Sequence, residues 1–563
     1  MVARIPLIVN PDAAQIQELP ATDTIDFPVA ALTADGTIAA DSAVILTSAG
    51  KAKAISTVAA SSGSATTWQA DSSSEAVYRL HDGTFMNGVG LSAPGGSQLA
   101  DNAVIAAWQI KSTTGTLDQR LQVQAGILSG NSVTWGTRVN VDETTPHAAI
   151  ASNGNNLGIL MYDLGSAVRV RTFYVANGGT NIVLGNLVNL RADSSDGSIC
   201  YLGEEGGSGY FAVAYKSTSG SQNNTYVRII KHDGHNNLTV GNIQYVLDTN
   251  IGATTNAHTT THLIPISHNK FIVQVGQQSS NTTMNVCTRG AFGNSNGTDI
   301  HIGPSYTSQQ LGRSADPVHL HDEHYNGSAY DPINKKFIIW HNKGNGQEGT
   351  VRVYDIVGNG INFQFESNFV YDGVDHSHHS MYPTVEVTDI GQIVVTFNRD
   401  TNNHGKRLVG SYNHDRTRLY FESDGSTKNA SGATTWSSED TRYVQQVKAD
   451  GGKIINLYSA GSDGGSYNTP GKSIVFQTKT TTLTADNFLG FSSAGYSDGD
   501  AARIKVLGNT LTKGGLTIGK KYYIRDDGTL VNTDAITNEY RRSFKNVLAG
   551  IAIAVNKLLI TPV

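Results

Sequence analysis

One apolar strand pattern recurs seven times along this chain, and no other feature limits its fold so tightly. It reads Ala103-Val104-Ile105-Ala106-Ala107-Trp108, Gly158-Ile159-Leu160-Met161-Tyr162 and Tyr210-Phe211-Ala212-Val213-Ala214-Tyr215. It continues as Lys270-Phe271-Ile272-Val273-Gln274-Val275, Lys336-Phe337-Ile338-Ile339-Trp340-His341, Gln392-Ile393-Val394-Val395-Thr396-Phe397 and Lys453-Ile454-Ile455-Asn456-Leu457-Tyr458. With Val104, Ile159, Phe211, Phe271, Phe337, Ile393 and Ile454 as equivalent positions, the spacing is roughly 52 to 66 residues, near that of the longer propeller repeats. Successive apolar residues in a strand project to both of its faces. Such strands need a cover on each side, as strands between neighbouring blades have.

A hairpin follows each of the first six runs at a similar distance. Its far strand reads Ser132-Val133-Thr134-Trp135-Gly136, Asn181-Ile182-Val183-Leu184-Gly185, Asn237-Leu238-Thr239-Val240-Gly241, Asp299-Ile300-His301-Ile302-Gly303, Gly360-Ile361-Asn362-Phe363 and Arg418-Leu419-Tyr420-Phe421. Several preceding turns contain Gly or Asn, which supply the positive φ of tight hairpins. Each unit therefore holds about four strands, one propeller blade. The seventh unit is incomplete downstream, for no matching strand follows Ser473-Ile474-Val475-Phe476. Upstream, Ser64-Ala65-Thr66-Thr67-Trp68 resembles Ser132 to Trp135 and Ala433-Thr434-Thr435-Trp436. The segment near 66–70 is expected to complete the last blade and leave no open edge; the bland alternative is a linker.

The composition agrees. Gly occurs 60 times and charged residues make up 16%, against roughly 25% in average soluble proteins. Many short strands suit this makeup, and helices do not. The expectation is an all-β chain: a seven-bladed β-propeller over 61–481, flanked by small N-terminal (1–60) and C-terminal (482–563) β domains. The N-terminal flank has hairpin-like turns at Ala34-Asp35-Gly36-Thr37 and Ser48-Ala49-Gly50-Lys51, and the C-terminal flank at Asp526-Asp527-Gly528-Thr529. The net charge of −6 is spread thinly, with no basic run to predict nucleic-acid binding. Met1 to Pro11 does not read as a secretory signal, and no stretch approaches the roughly 18 apolar residues of a membrane span. Cys200 and Cys287 read as core thiols rather than a disulfide framework.

Histidine clustering is the most unusual local feature. His319, His321, Asp322, Glu323 and His324 form one cluster; Asp375, His376, His378 and His379 another; His258 and His262 a weaker one. Each precedes the apolar run of its repeat, and equivalent loops carry His147, Asp196 and Asp440. In a propeller such loops gather at one mouth of the central channel. His319, His321, His324, His376 and His378 are the candidate ligands for zinc or another divalent ion; no other cofactor is expected. The spacing matches no defined metal motif, so the competing reading is a polar channel mouth whose imidazoles bond to backbone and water.

Catalysis has little support. A glycan-cleaving site needs two carboxylates at set separation, and Asp322, Glu323 and Asp375 are candidates only as many surface acids are. Gly206-Gly207-Ser208-Gly209 is not a nucleophile elbow. Tyr382, Trp436 and Tyr443 are of a type that stacks on sugars, although core packing explains such residues more often.

Ile5-Pro6-Leu7-Ile8-Val9-Asn10-Pro11 with Gln15-Ile16-Gln17-Glu18-Leu19-Pro20 resembles the N-terminal arm of structural proteins from marine tailed bacteriophages. Ala329-Tyr330-Asp331-Pro332 to Trp340, with Gly349-Thr350-Val351-Arg352-Val353, is similar to repeated units of tail-fibre-like proteins. Phe488-Leu489-Gly490-Phe491, Gly515-Leu516-Thr517 to Tyr523, Leu548-Ala549-Gly550 and Lys557-Leu558-Leu559-Ile560 look like small modules of phage structural proteins. The resemblance implies a virion protein, a tail fibre or a capsid or tail decoration, and not an enzyme. It implies that the arm joins other virion proteins while distal modules meet a host surface glycan or protein. It also implies a homo-oligomer, trimers being common in such fibres. An internal tail connector or nozzle component and a polysaccharide-degrading propeller are the alternatives.

Overall fold

A computed structural model describes residues 7–10, 15–18, 29–69, 75–86, 102–112, 120–142, 147–154, 157–164, 167–176, 181–192, 194–217, 225–233, 237–246, 260–276, 282–289, 299–307, 327–343, 348–370, 380–399, 404–412, 419–421, 434–460, 470–484, 486–525, 527–532 and 547–561. Among these residues every regular element is a strand and none is a helix. The chain divides into two compact units: 1–58 with 481–539 and 544–563, and 59–480 with 540–543.

In the larger unit antiparallel meanders of a β-propeller follow one another in chain order. The first comprises Glu75–Met86, Ala103–Ser112, Leu121–Ser129 and Ser132–Asp142; the second Ala148–Ser152, Gly158–Leu164, Ala167–Ala176 and Asn181–Ala192. The third comprises Ser194–Glu205, Ser208–Ser217, Thr225–Asp233 and Asn237–Val240, with Gln244–Tyr245 beside its third strand. The fourth holds Thr260–Ser267, Lys270–Gly276, Thr282–Arg289 and Ile300–Thr307; the fifth Ser328–Asp331, Lys336–Lys343, Glu348–Val357 and Gly360–Val370. Two further meanders share a nine-stranded sheet. The sixth begins Ser380–Val387, Ile393–Arg399 and His404–Tyr412, and the seventh holds Lys453–Ala460 and Gly471–Gln477. The long strand Thr434–Ala449 belongs to both. Its start pairs with His404–Arg407 and its end with Lys453–Leu457.

All seven apolar runs lie in the second strand of their meanders. The first strands escaped notice because several are short and mix apolar with small or polar residues, as in Ser328-Ala329-Tyr330-Asp331. Apolar cores fill the spaces between consecutive meanders. Ile105, Ala107 and Val123 of the first pack with Ile150, Leu160 and Tyr162 of the second. Comparable clusters join the second to the third, the third to the fourth, the fourth to the fifth and the fifth to the sixth. Val447, Ile455, Leu457 and Val475 of the seventh pack against Val104, Ala106 and Trp108 of the first. Thr66–Gln69 pairs with Gly471–Ser473, and Ser61–Ser62 with Phe476–Gln477, so N-terminal strands lie along the outer edge of the seventh meander.

The flanks depart from the expectation of two separate domains. One five-stranded sheet runs Val29–Thr33, Ala501–Lys505, Phe488–Ser492, Ala43–Leu46 and Ala52–Ala54, alternating strands from the two ends of the chain. A second holds Thr510–Thr512, Lys557–Ile560, Leu548–Ala554, Lys521–Ile524 and Leu530–Asn532. Ala43, Ile45 and Phe491 of the first sheet share a core with Leu511, Tyr522, Ile524 and Leu558 of the second. The physical reason is size: neither flank has enough apolar surface to bury a core alone, and together they do. Leu7–Asn10 and Gln15–Glu18 form a two-stranded hairpin.

Candidate functional site in the central cavity

The first strand of each meander borders one cavity of about 770 Å³. Each contributes a polar side chain to its lining: Thr84, Ser152, Ser198, His262, Ser328, Glu386 and Gln446. The first strands of the first six meanders are each paired on one edge only, and Thr434–Ala449 is paired on one edge only over its end, Thr441–Ala449. An unpaired strand edge carries free backbone N–H and C=O groups that need water, so a polar, wet lining is what this position demands.

Hydrogen bonds tie neighbouring meanders together around the cavity. Thr84 Oγ1 donates to Ser152 Oγ at 2.9 Å, and the Leu263 amide donates to Ser198 Oγ at 3.1 Å. His262 Nδ1 lies 2.9 Å from Ser328 Oγ, and Ser328 donates to Gln274 Oε1 at 2.5 Å. A hydroxyl has one proton to give. With that proton on Gln274, Ser328 accepts from His262, which assigns the imidazole proton to Nδ1 and leaves the Nε2 lone pair unprotonated. Burial pushes the His262 pKa down to about 4, so the ring is neutral at pH 7. Ser328 is therefore a poor nucleophile here, since its proton is not held by the histidine.

Glu386 of the sixth meander faces Lys448 of the seventh. Burial pushes the Glu386 carboxyl above its ordinary value, while the Lys448 charge and the Val387 amide pull it partly back. At the adjoining turn the Asp389 carboxylate accepts the backbone N–H groups of Gly451 and Gly452, at 2.8 and 2.7 Å. Between the third and fourth meanders, buried Arg289 pairs with Glu205 and lies 3.9 Å over the Tyr210 ring. His268 Nε2 is 3.1 Å from Glu205 Oε2. Burial pushes the Glu205 carboxyl up, but the hydrogen bonds and charges of Arg289 and His268 outweigh it and hold the group below 4.5.

Of the residues singled out in the sequence, His262 lines the cavity. His258, His319, His321, Asp322, Glu323, His324, Asp375, His376, His378 and His379 lie outside the described residues, as do the side chains of Asp196 and Tyr382. Among the described residues no group of three His, Cys, Asp or Glu is placed to hold a metal ion. Trp436 is buried, and its indole N–H donates to the Lys406 carbonyl at 2.9 Å, so it is a core residue and not a sugar platform. Tyr443 packs against the core between the seventh and first meanders. Cys200 and Cys287 are free thiols in the core between the third and fourth meanders; burial raises both, Cys287 to about 12, which makes them unreactive. Sequence reasoning missed Glu386, Asp389, Gln446 and Lys448. Their one signal was polar residues just ahead of the apolar runs.

No family model matches the chain, and no curated protein does. Among solved structures, the chain is similar to a sialidase from Trypanosoma rangeli at 9% identity and TM-score 0.35, over 79% of this chain and 58% of that one. The chain thus spans less than two thirds of that sialidase. It is also similar to the periplasmic gluconolactonase PpgL of Pseudomonas aeruginosa (12% identity, TM-score 0.36, 66% of this chain and 97% of that one). A third likeness is to the Aleuria aurantia lectin AAL (11% identity, TM-score 0.35, 60% of this chain and 93% of that one). Scores this low carry no argument about function.

Proposed function

We propose that the larger unit is a closed seven-bladed β-propeller and that the chain is a bacteriophage virion structural protein, a fibre or a capsid or tail decoration. One repeated contact supports the ring. Lys270, opening the second strand of the fourth meander, donates to the Gly358 carbonyl in the outer hairpin of the fifth, at 2.8 Å. Lys453, opening the second strand of the seventh, donates to the Gly130 carbonyl in the outer hairpin of the first, at 2.9 Å. The same contact between the seventh and first meanders as between the fourth and fifth supports reading them as consecutive blades.

The observation that carries the functional reading is the insertion of the ring within a small β unit made from both ends of the chain. Such a layout suits a one-piece attachment base that leaves the inserted propeller to be presented to a host-surface glycan or protein. In the base, Ile518, Ile553 and Val555 are 62%, 49% and 62% exposed. They are neighbours, because the Leu516 amide donates to the Val555 carbonyl and the Gly519 amide to the Ala552 carbonyl. Exposed β-branched residues grouped in this way suit contact with other virion proteins or with further copies of the chain. The virion origin itself rests on the resemblance of the N-terminal arm and the C-terminal modules.

A reconstruction of the intact particle tests the reading. Density for the propeller on the outer surface, with the small unit at the virion, is the expected result. Density enclosed within the tail would replace it with a connector role, and shortened host glycans after incubation with the purified chain would replace it with an enzyme.

A further inference from the structure

The two sheets of the smaller unit share one topology and one register. In chain order the strands of the first are Val29–Thr33, Ala43–Leu46, Ala52–Ala54, Phe488–Ser492 and Ala501–Lys505. Those of the second are Thr510–Thr512, Lys521–Ile524, Leu530–Asn532, Leu548–Ala554 and Lys557–Ile560. Both sheets place them in the order first, fifth, fourth, second, third. Ala43, Val44 and Ile45 pair with Phe491, Gly490 and Phe488, and Lys521, Tyr522 and Tyr523 pair with Ile551, Gly550 and Leu548. Each fourth strand thus skips one residue at the same place. A Cβ at Gly490 or Gly550 would come within 2.1 or 2.0 Å of a carbonyl oxygen on the fifth strand. The hairpin turns also match. The Thr47 amide donates to the Lys51 carbonyl and the Gly50 amide to the Thr47 carbonyl, as the Arg525 amide does to Thr529 and the Gly528 amide to Arg525. One module therefore occurs twice, and the larger unit enters the chain between the third and fourth strands of the first copy.

The two copies meet through unlike faces. Val44 lies in the first copy's own core, so Ala43 and Ile45 point out of it by strand alternation. With Phe491 they are buried in a core shared with Tyr522 and Ile524 of the second copy, and Tyr522 is the counterpart of Val44. The outward face of one copy thus meets the inward face of the other. Gly528 sits at this contact, where a Cβ would lie 3.4 Å from Ile55 Cβ and 3.8 Å from Ala43 Cβ. A contact between unlike faces leaves one of each open. The outward face of the second copy carries Leu548, Ile551 and Leu559, which are half-exposed and, among the described residues, join neither core. Phe491, the counterpart of Ile551, is 2% exposed. On the first copy Leu46 is 41% exposed, whereas its counterpart Ile524 is 0% exposed. Nothing lies within 4 Å of a Cβ at Gly50, the counterpart of Gly528.

We propose that a second copy of this chain docks its Ala43–Ala54 hairpin end on Leu548, Ile551 and Leu559, repeating between chains the contact that exists within one. Continuity decides the occupant: the surface that fits an outward face of this module is the hairpin end and inward face of the same module. Such a contact is heterologous and passes from chain to chain until it closes a ring or runs on as a filament. The proposal stands whether or not the chain belongs to a virion.

Analytical ultracentrifugation of the full-length chain tests it. The parent is expected to self-associate at micromolar concentration. Leu46→Lys and Ile551→Lys should each weaken that association about thirtyfold, as loss of a central interface residue does. Leu46 is exposed, so Leu46→Lys keeps the test open should Ile551→Lys fail to fold. Each variant retains the face that the other lacks, so an equimolar mixture should form one intact contact and sediment as a one-to-one dimer. The proposal is overturned if the parent is monomeric at about 100 µM, if neither substitution changes its association, or if the mixture stays monomeric, the mark of a contact between like faces.

Discussion

The indole N–H of Trp68 donates to the backbone carbonyl of Lys472 at 2.8 Å, across 404 residues of chain. The same bond recurs one meander earlier, where the Trp436 indole donates to the Lys406 carbonyl. In both places the ring lies on a glycine. A Cβ would come within 2.3 Å of the Trp68 ring at Gly471 and 2.4 Å of the Trp436 ring at Gly405. The sixth meander draws this tryptophan from its own downstream strand, and the seventh takes it from the N-terminal side. The Trp68 and Trp108 ring centroids are also 4.5 Å apart, so one side chain pairs with the seventh meander and packs on the first.

Removing Trp68 should therefore loosen the contact between the N-terminal strand, the seventh meander and the first. The side chain is 2% exposed, and Trp68→Ala is expected to cost about 3–5 kcal/mol, the usual penalty for truncating a buried aromatic. Trp68→Phe keeps most of the packing and loses the bond to Lys472, for about 1 kcal/mol. Urea unfolding measures both. Limited proteolysis of Trp68→Ala should release the segment before the first blade ahead of other cuts. Equal stability of Trp68→Ala and the parent chain would mean that the seam is held elsewhere.

The pair of Glu205 and Arg289 should behave as a buried charge pair. Arg289 is 1% exposed, so Glu205→Gln removes the charge that balances its guanidinium between the third and fourth meanders. The expected loss is about 3 kcal/mol, at the lower end for breaking such a pair because Glu205 is 17% exposed. Replacing both, as Glu205→Gln with Arg289→Met, should cost less than either change alone. The sign with pH follows from the depressed Glu205 carboxyl. Its contribution is complete above the ordinary value of 4.5 and is lost as pH falls through the lower folded value. A thermal-melt series in acid should show that loss in the parent chain and not in Glu205→Gln.

Asp389 holds the turn of the next blade by its two amides. Asp389→Ala leaves both N–H groups to water and should cost about 1–2 kcal/mol, since charged acceptors give the stronger bonds. Gly452→Ala should cost more. Its φ is +77°, and the new Cβ would lie 2.7 Å from Thr480 Cγ2 and 2.8 Å from Thr478 Oγ1. Calorimetric melting of the two variants should rank them in that order.

The sequence made the second strand of every meander and the fourth strand of the first six legible, because their signals are local. A run such as Phe337-Ile338-Ile339-Trp340 is apolar on both faces whatever lies beside it, and Asn237-Leu238-Thr239-Val240 follows its own turn. The likeness of Thr66-Thr67-Trp68 to Thr434-Thr435-Trp436 was visible for the same reason: the Trp and Gly device needs that residue order. Pairings that depend on distant chain were not visible. Val29–Thr33 bonds to Ala501–Lys505 with no periodic pattern to announce it, so the two flanks read as two domains. The cavity lining was half hidden. His262 stood out as a histidine, but Gln446 and Glu386 are ordinary polar residues until the fold brings their strands to one cavity.

Glu386 and His262 should give the cavity opposite responses to pH. Burial raises the Glu386 carboxyl, so the fold favours the neutral acid. Its contribution is complete below the ordinary value of 4.5 and is lost as pH rises through the raised folded value. Glu386→Gln should accordingly melt higher than the parent at pH 7, with the gap closing as pH falls below 4.5. Burial lowers His262 to about 4 from 6.5, so the fold favours the neutral ring. That contribution is intact above 6.5 and is lost as pH falls from there toward 4. His262→Gln keeps a polar side chain beside Ser328 but has no proton to gain, and its stability should fall less than the parent's over that interval. NMR titration of the His262 ring checks the cause directly. A midpoint near 6.5 would remove the buried neutral imidazole from the account, and the bond to Ser328 would then be one that either protonation state can make.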